Sequence, residues 1–176
     1  MTAQRQAPVV QLEPIPASDL PALAQGLVPQ RLGGRAIADG LPPPAVARRI
    51  LQLLAAGEPP YWVGMCYIFD AEGCCIGGCG FKHAPIEREV EVGYGLAASQ
   101  RGRGYASAAL AQLLLMAAAT GEVDAVIAHI SSDNQASARL AQRHGFLRGG
   151  TVIDDGEWVV RWRRVLTPED GLRARR

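Results

Sequence analysis

The spacing of apolar positions changes several times along the chain, and each change marks an element. Val9 to Leu12 predicts a short strand. Ser18-Asp19 can cap a helix running to about Gln25, whereas the Gly- and Pro-rich stretch from Pro29 to Pro44 predicts loop. Val46, Ile50, Leu53 and Leu54 share one face of a helix over Ala45 to Leu54, stopped by Gly57 and Pro59-Pro60. Three strand-like runs at hairpin spacing come next: Tyr61 to Phe69, Cys74 to Phe81 and Val90 to Leu96. Asp70 to Gly73 turns between the first two, and Lys82 to Glu87 connects the second to the third.

The period then lengthens. Arg103 to Ala119 is apolar nearly all round, the mark of a helix covered on both sides, and Gly121 ends it. Ala125 to Ile130 is a short apolar strand. Ser132 and Gln135 have capping-box spacing for a helix to His144, which Gly145 and Phe146 should close as a Schellman motif. Leu147 to Ile153 and Glu157 to Leu166 form a hairpin around Asp155-Gly156. This order, a strand, two helices, three strands, a helix, a strand, a helix and two strands, is an α/β pattern with helices on both faces of a mixed sheet. No repeat or linker divides it, so we expect one domain over 8–166, with a disordered tail over 1–7 and a flexible one over 167–176.

Charge narrows the function classes. The chain has 176 residues with 18 basic and 17 acidic groups, and setting aside Arg173, Arg175, Arg176, Glu169 and Asp170 leaves 15 of each. A body this neutral argues against sequence-independent nucleic-acid binding and against a polybasic membrane contact. Met1 to Val10 has no apolar stretch of signal-peptide length, and Tyr105 to Ala119 is too short for a span of ~20 residues, so a soluble cytoplasmic protein is expected. Lys82 is the only lysine, which we read with the abundant alanine as genome composition. Cys66, Cys74, Cys75 and Cys79 read as reduced, mostly buried thiols rather than metal ligands. In a strand Cys75 and Cys79 would share a face but lie ~13 Å apart, too far to chelate one ion, and no metal is expected.

The chemistry concentrates between Val90 and Ala106. Alternation puts Val90, Val92, Tyr94 and Leu96 on one face and Glu91, Gly93 and Gly95 on the other, so the second face carries a carboxylate followed by two bare positions. Arg101-Gly102-Arg103-Gly104 leads straight into a helix, whose free N–H groups and dipole suit a phosphate. The stretch has neither a Gly-Lys phosphate loop nor the third glycine of a dinucleotide fingerprint, since Ser107 stands there.

Arg101-x-x-Gly104-x-Ala106 resembles the [Q/R]-x-x-G-x-[G/A] acetyl-CoA signature of the GNAT acetyltransferase superfamily. Together with Glu91 to Leu96, Asn134-x-x-Ser137 and Gly145-Phe146, it is similar to the branch containing bacterial ribosomal-protein N-terminal acetyltransferases. The resemblance covers about Glu87 to Gly149. It implies a mixed, mostly antiparallel sheet flanked by helices on both faces and splayed between the fourth and fifth strands, with acetyl-CoA as co-substrate. Backbone around Tyr94, Gly95, Leu96 and Ala97 would pair with the pantetheine arm, and amides of Arg101, Gly102, Arg103, Gly104, Tyr105 and Ala106 would hold the pyrophosphate. Asn134 would bond the pantetheine arm and Ser137 would lie near the thioester sulfur, although both residues also suit a plain helix start. Two positions depart from the family. Ala141 stands where many members carry a tyrosine, leaving Ser137 or water to protonate the thiolate, and Gly95 stands where the branch has a bulky aromatic.

Glu91 is the candidate general base. An α-amine titrates near ~8 and a lysine near ~10.4, so deprotonating the former is easier by about 3 kcal/mol, which favours a protein N-terminal acceptor. A small-molecule amine and a non-catalytic acyl-CoA-binding sensor are the alternatives, and a second copy of the chain is a candidate partner. Glu87 and Glu89 would share the face of Glu91 and could attract a cationic acceptor. His83, His129 and His144, and Trp62, Trp158 and Trp162, are expected to be structural.

Overall fold

The computed structural model describes residues 8–175, so the tail expected over 1–7 lies outside it. Seven strands form one sheet: β1 (Gln11–Pro14), β2 (Met65–Phe69), β3 (Cys75–Phe81), β4 (Glu89–Leu96), β5 (Ala125–Ser131), β6 (Leu147–Asp154) and β7 (Glu157–Val165). Their spatial order is β1-β2-β3-β4-β5-β7-β6, antiparallel throughout except for the parallel pair β4–β5. That pair joins only Glu89–Glu91 to Ala125–Ile127, and beyond Glu91 the two strands part. The splay expected between the fourth and fifth strands is therefore present, and it frees the end of β4 on one side.

Helices α1 (Leu20–Ala24) and α2 (Pro44–Ala55) cover one face, where Leu20, Leu23, Leu32, Ala47 and Ile50 pack on Tyr67, Phe69 and Cys75. The opposite face carries α4 (Tyr105–Thr120) and α5 (Gln135–Arg143). Leu110, Leu113 and Leu114 of α4 are buried there against Ile68, Phe81, Val92 and Val126, each side chain contributing about 1.5–3 kcal/mol. No helix among the described residues is long and apolar enough to cross a membrane.

Three expectations change. First, the run from Tyr61 begins as a helical turn, α3 (Pro60–Val63), because Pro59 and Pro60 pre-set its opening; Trp62 packs from there on Phe81. Second, the register shift between Ile68 and Phe69 inserts a residue into β3, so Cys75 faces α2 while Cys79 faces α4. The two thiols do not share a face, and burial pushes that of Cys75 up to about 11. Third, residues 167–175 are not a flexible tail. Thr167 and Asp170 form a reciprocal capping box opening α6 (Pro168–Ala174), and Arg164 donates to Asp170 at 2.8 Å. This helix packs on α4 and supplies the second cover that its all-round apolar surface calls for.

The Gly- and Pro-rich stretch before α2 is also more ordered than a free loop. Gln30–Arg35 is a 3-10 segment, and Arg31 ties it to the buried Asp19 at 2.7 Å and to Glu13 at 2.6 Å. Gly40 then lies so close to β3 that a Cβ would sit 2.5 Å from the Cys75 carbonyl oxygen. This approach lays Asp39 to Pro43 over the middle of the sheet.

Candidate active site

Two cavities meet at the splayed end of β4, and Tyr94, Gly95, Leu96 and Arg101 line both. The one beside α4 and α5 has a volume of about 550 Å³. Its rim is the turn before α4, where Gly102 and Gly104 take φ of 73° and 88°, left-handed values that glycine adopts without strain. Among the described residues, no acceptor meets the backbone N–H of any residue from Gly102 to Ser107. Six donors at a helix start, unpaired among the described residues, can serve as an anion cradle, because they add to the positive end of the helix dipole. Ala106 and Ser107 line the cavity with the two glycines, whereas Ala97, Arg103 and Tyr105 lie outside its wall. Arg139 and Arg143, one turn apart on α5, add positive charge that the sequence reading missed; their i, i+4 spacing was the available signal.

Asn134 and Ser137 stand across this cavity. Asn134, rather than Ser132, caps α5, and its Oδ1 accepts the Ser137 N–H at 3.1 Å. The helix closes as expected, with the Phe146 N–H reaching the Ala141 carbonyl at 3.0 Å beyond Gly145 at φ 77°. With Ala141 buried, no phenol comes from this helix, but Tyr94 brings one from the strand. Its hydroxyl is buried without a hydrogen-bond partner of good geometry among the described residues. Burial raises the pKa of the phenol against the opposing influence of the nearby Ser137, so Tyr94 holds its proton.

The other cavity, of about 390 Å³, lies between the sheet and the Asp39–Pro43 segment. Gly78, Gly80, Gly93 and Gly95 pave its floor, while Leu41, Pro42, Val46 and Met65 form apolar walls. At one end Lys82 meets Glu91. The Glu91 side chain is 7% exposed and is absent from the cavity wall; its Oε1 is ion-paired to the Lys82 ammonium. Its Oε2 lies 3.2 Å from His129 Nδ1 and 3.9 Å from His83 Nε2. Asp154 completes the cluster, 3.3 Å from Lys82 Nζ and 3.5 Å from His129 Nδ1. Burial works against the Lys82 charge, but the hydrogen bond and charge of Glu91, then Asp154, outweigh it and hold the ammonium above its usual range.

Two of the three histidines expected to be structural thus touch the candidate base. Glu91, His129 and Asp154 also offer ligand atoms within 4.8 Å of one another, but Lys82 already sets a cation against both carboxylates. The acidic field expected on the amine side is smaller than the residue types promised. Glu89 is spent on Arg161 and on Arg163 at 2.6 Å, and Glu87 is exposed in the turn before β4. His144 instead bonds Ser107 at 2.7 Å, between α5 and α4.

A family profile described as acetyltransferase (GNAT) domain matches residues 10–147, most of the chain. The chain belongs to the GNAT acetyltransferase family. As a GNAT member it is an acetyl-CoA-dependent N-acetyltransferase. Solved structures share its fold. It is 23% identical, over 92% of this chain and 95% of the other, to RimL, a ribosomal L7/L12 alpha-N-protein acetyltransferase in complex with coenzyme A, with a TM-score of 0.63. A spermidine N-acetyltransferase from Vibrio cholerae, in complex with CoA and spermine, is 14% identical over 93% and 98% of the two chains, with a TM-score of 0.65. An acetyltransferase from Agrobacterium tumefaciens is 27% identical over 88% and 90%, with a TM-score of 0.59. A comparison with curated proteins found no match.

Proposed function

We propose that this GNAT protein acetylates the N-terminal α-amine of a protein, by direct attack on acetyl-CoA within a ternary complex. The observation that carries the proposal is the shared wall. A co-substrate phosphate held at Gly102–Ser107 and an amine entering past the Asp39–Pro43 segment would meet where Tyr94, Gly95 and Leu96 line both cavities. The glycine floor lets an extended peptide lie close to the sheet. The likeness to RimL, which acts on a protein α-amine, favours the same class of acceptor over a lysine.

Glu91 takes the proton from the amine through water, since its buried carboxylate is absent from the cavity wall. Lys82 is bonded to both Glu91 and Asp154, so it can rest its charge on Asp154 while Glu91 is protonated. His129, between the same two carboxylates, orients Glu91 from the opposite side. Ser137, backed by the protonated Tyr94, supplies a proton to the departing thiolate, and the Asn134 cap fixes the Ser137 backbone.

The test is thiol release from acetyl-CoA with peptides bearing free N-termini, the same peptides blocked at the N-terminus but carrying lysine, and polyamines. Free N-termini should be used. Glu91→Gln should lower kcat about 100-fold or more while acetyl-CoA affinity holds. An unchanged kcat removes Glu91 from the mechanism, and binding of acetyl-CoA without turnover on any amine replaces the enzyme with a sensor.

A further inference from the structure

The wall of the acceptor cavity carries three cationic side chains, Arg49, Lys82 and Arg101, against one acidic side chain, Asp39. Two of the cations are engaged. Lys82 is ion-paired to Glu91 and Asp154, and Arg101 stands on the border with the phosphate cradle, its Nε donating to the Leu96 carbonyl at 3.4 Å. Arg49, on α2, is different. The residue is half-buried, but its Nε is buried with no hydrogen-bond partner among the described residues, and Asp39 of the same cavity makes no ion pair with it there.

A buried N–H donor is ordinarily satisfied, and an unmade bond at a charged group is costly. Leu41, Pro42, Val46 and Met65, which line the same cavity, have no side-chain carboxylate to offer Arg49. The group that best fits a guanidinium is a carboxylate, which accepts two parallel N–H bonds from it. A polyamine would do the reverse, since it carries no acceptor for the Arg49 guanidinium and would set a second cation beside it.

We infer that the acceptor is an amine that also carries a carboxylate, held by Arg49 while the amine lies at the end of β4. This rests on the amine-acetylation reading above and names its substrate class. The carboxylate has two sources: the acidic side chain of a peptide that begins with Asp or Glu, or the α-carboxylate of a free amino acid.

The experiment compares matched acceptors by thiol release: Asp-first against Asn-first peptide amides, free amino acids against their amides, and spermidine. The carboxylate member of a pair should have a KM lower by about tenfold or more. Preference in the peptide pair points to a protein N-terminus and preference in the amino-acid pair to a small molecule, and either supports the proposal. Arg49→Ala should erase the preference by raising that KM alone, and Arg49→Lys, which keeps charge but loses the fork, should retain part of it. Equal use of both members, a preference for spermidine, or a preference that survives Arg49→Ala overturns the inference.

A second readout needs no turnover. Calorimetry in the presence of CoA should show an N-acetylated Asp-first peptide binding to wild type and not to Arg49→Ala, with its Asn counterpart binding to neither. Equal binding of the two peptides overturns the carboxylate site. Failure to acetylate any amine, with this binding intact, overturns the transferase reading instead.

Discussion

A side chain at Gly95 would enter open space, since a Cβ there meets no heavy atom within 4 Å. It would also point to the acceptor side, on the face shared with Glu91 and Gly93. Gly95→Trp should therefore fill the acceptor cavity and raise the acceptor KM about tenfold, the equivalent of about 1.4 kcal/mol of lost binding. Its effect on acetyl-CoA affinity, measured by calorimetry, should be much smaller, because the backbone of β4 stays in place; equal losses on both substrates would contradict this placement. Strand alternation was enough to put Glu91, Gly93 and Gly95 on one face. The partners of Glu91 were not readable in that way. Lys82, His129 and Asp154 come from the end of β3, from β5 and from β6, and only the strand order brings them together. The same limit hid Arg49, which local spacing presents as an ordinary polar position on an amphipathic helix.

Among the elements, those defined by local rules were legible and those defined by contact were not. The long apolar helix, the glycine turn before it and the Asp155-Gly156 hairpin all follow from short-range chemistry. The β3 insertion depends on how β2 pairs with its neighbour, so the outlook of Cys75 could not be read from β3 alone. The last helix was missed because its seven residues include one large apolar side chain, Leu172, which is exposed. Its capping box and its seat on α4 make it instead. Burial opposes ionisation of Asp170, yet the Thr167 backbone and hydroxyl bonds and Arg164 outweigh it and hold the carboxyl below its usual range. Thr167→Ala should cost about 1 kcal/mol and lower Tm by about 2–4 °C. An unchanged Tm in differential scanning calorimetry would show that α6 adds nothing to the fold.

For the whole molecule, the near-zero net charge conceals a division of labour. Arg49, Arg101, Arg139 and Arg143 face the two cavities without an ion pair among the described residues, while Glu89, Glu91 and Asp154 are consumed by Lys82, Arg161 and Arg163. Stability should respond to acid in two stages. Burial, then Arg164 and Arg143, depress the pKa of His144 below its ordinary 6.5, so the folded state binds that proton less readily than the unfolded chain. Its contribution is complete above 6.5 and is lost as pH falls from there through the lowered value, whereas the losses from the depressed carboxyls of Asp124 and Asp170 begin only below 3.8. His144→Gln, which keeps a partner for Ser107, should flatten the first decline in a Tm-against-pH profile and leave the second; a first decline that persists would clear His144 of it.

Lys82 gives the last consequence. An enzyme that transfers acetyl groups to amines risks modifying itself, and this chain has a single side-chain ε-amine, placed on the wall of the cavity proposed to receive the acceptor. Only the free base can attack a thioester. The two carboxylates that keep Lys82 an ammonium therefore also make it a poor nucleophile, so the pairing that readies Glu91 protects the catalyst from its own reagent.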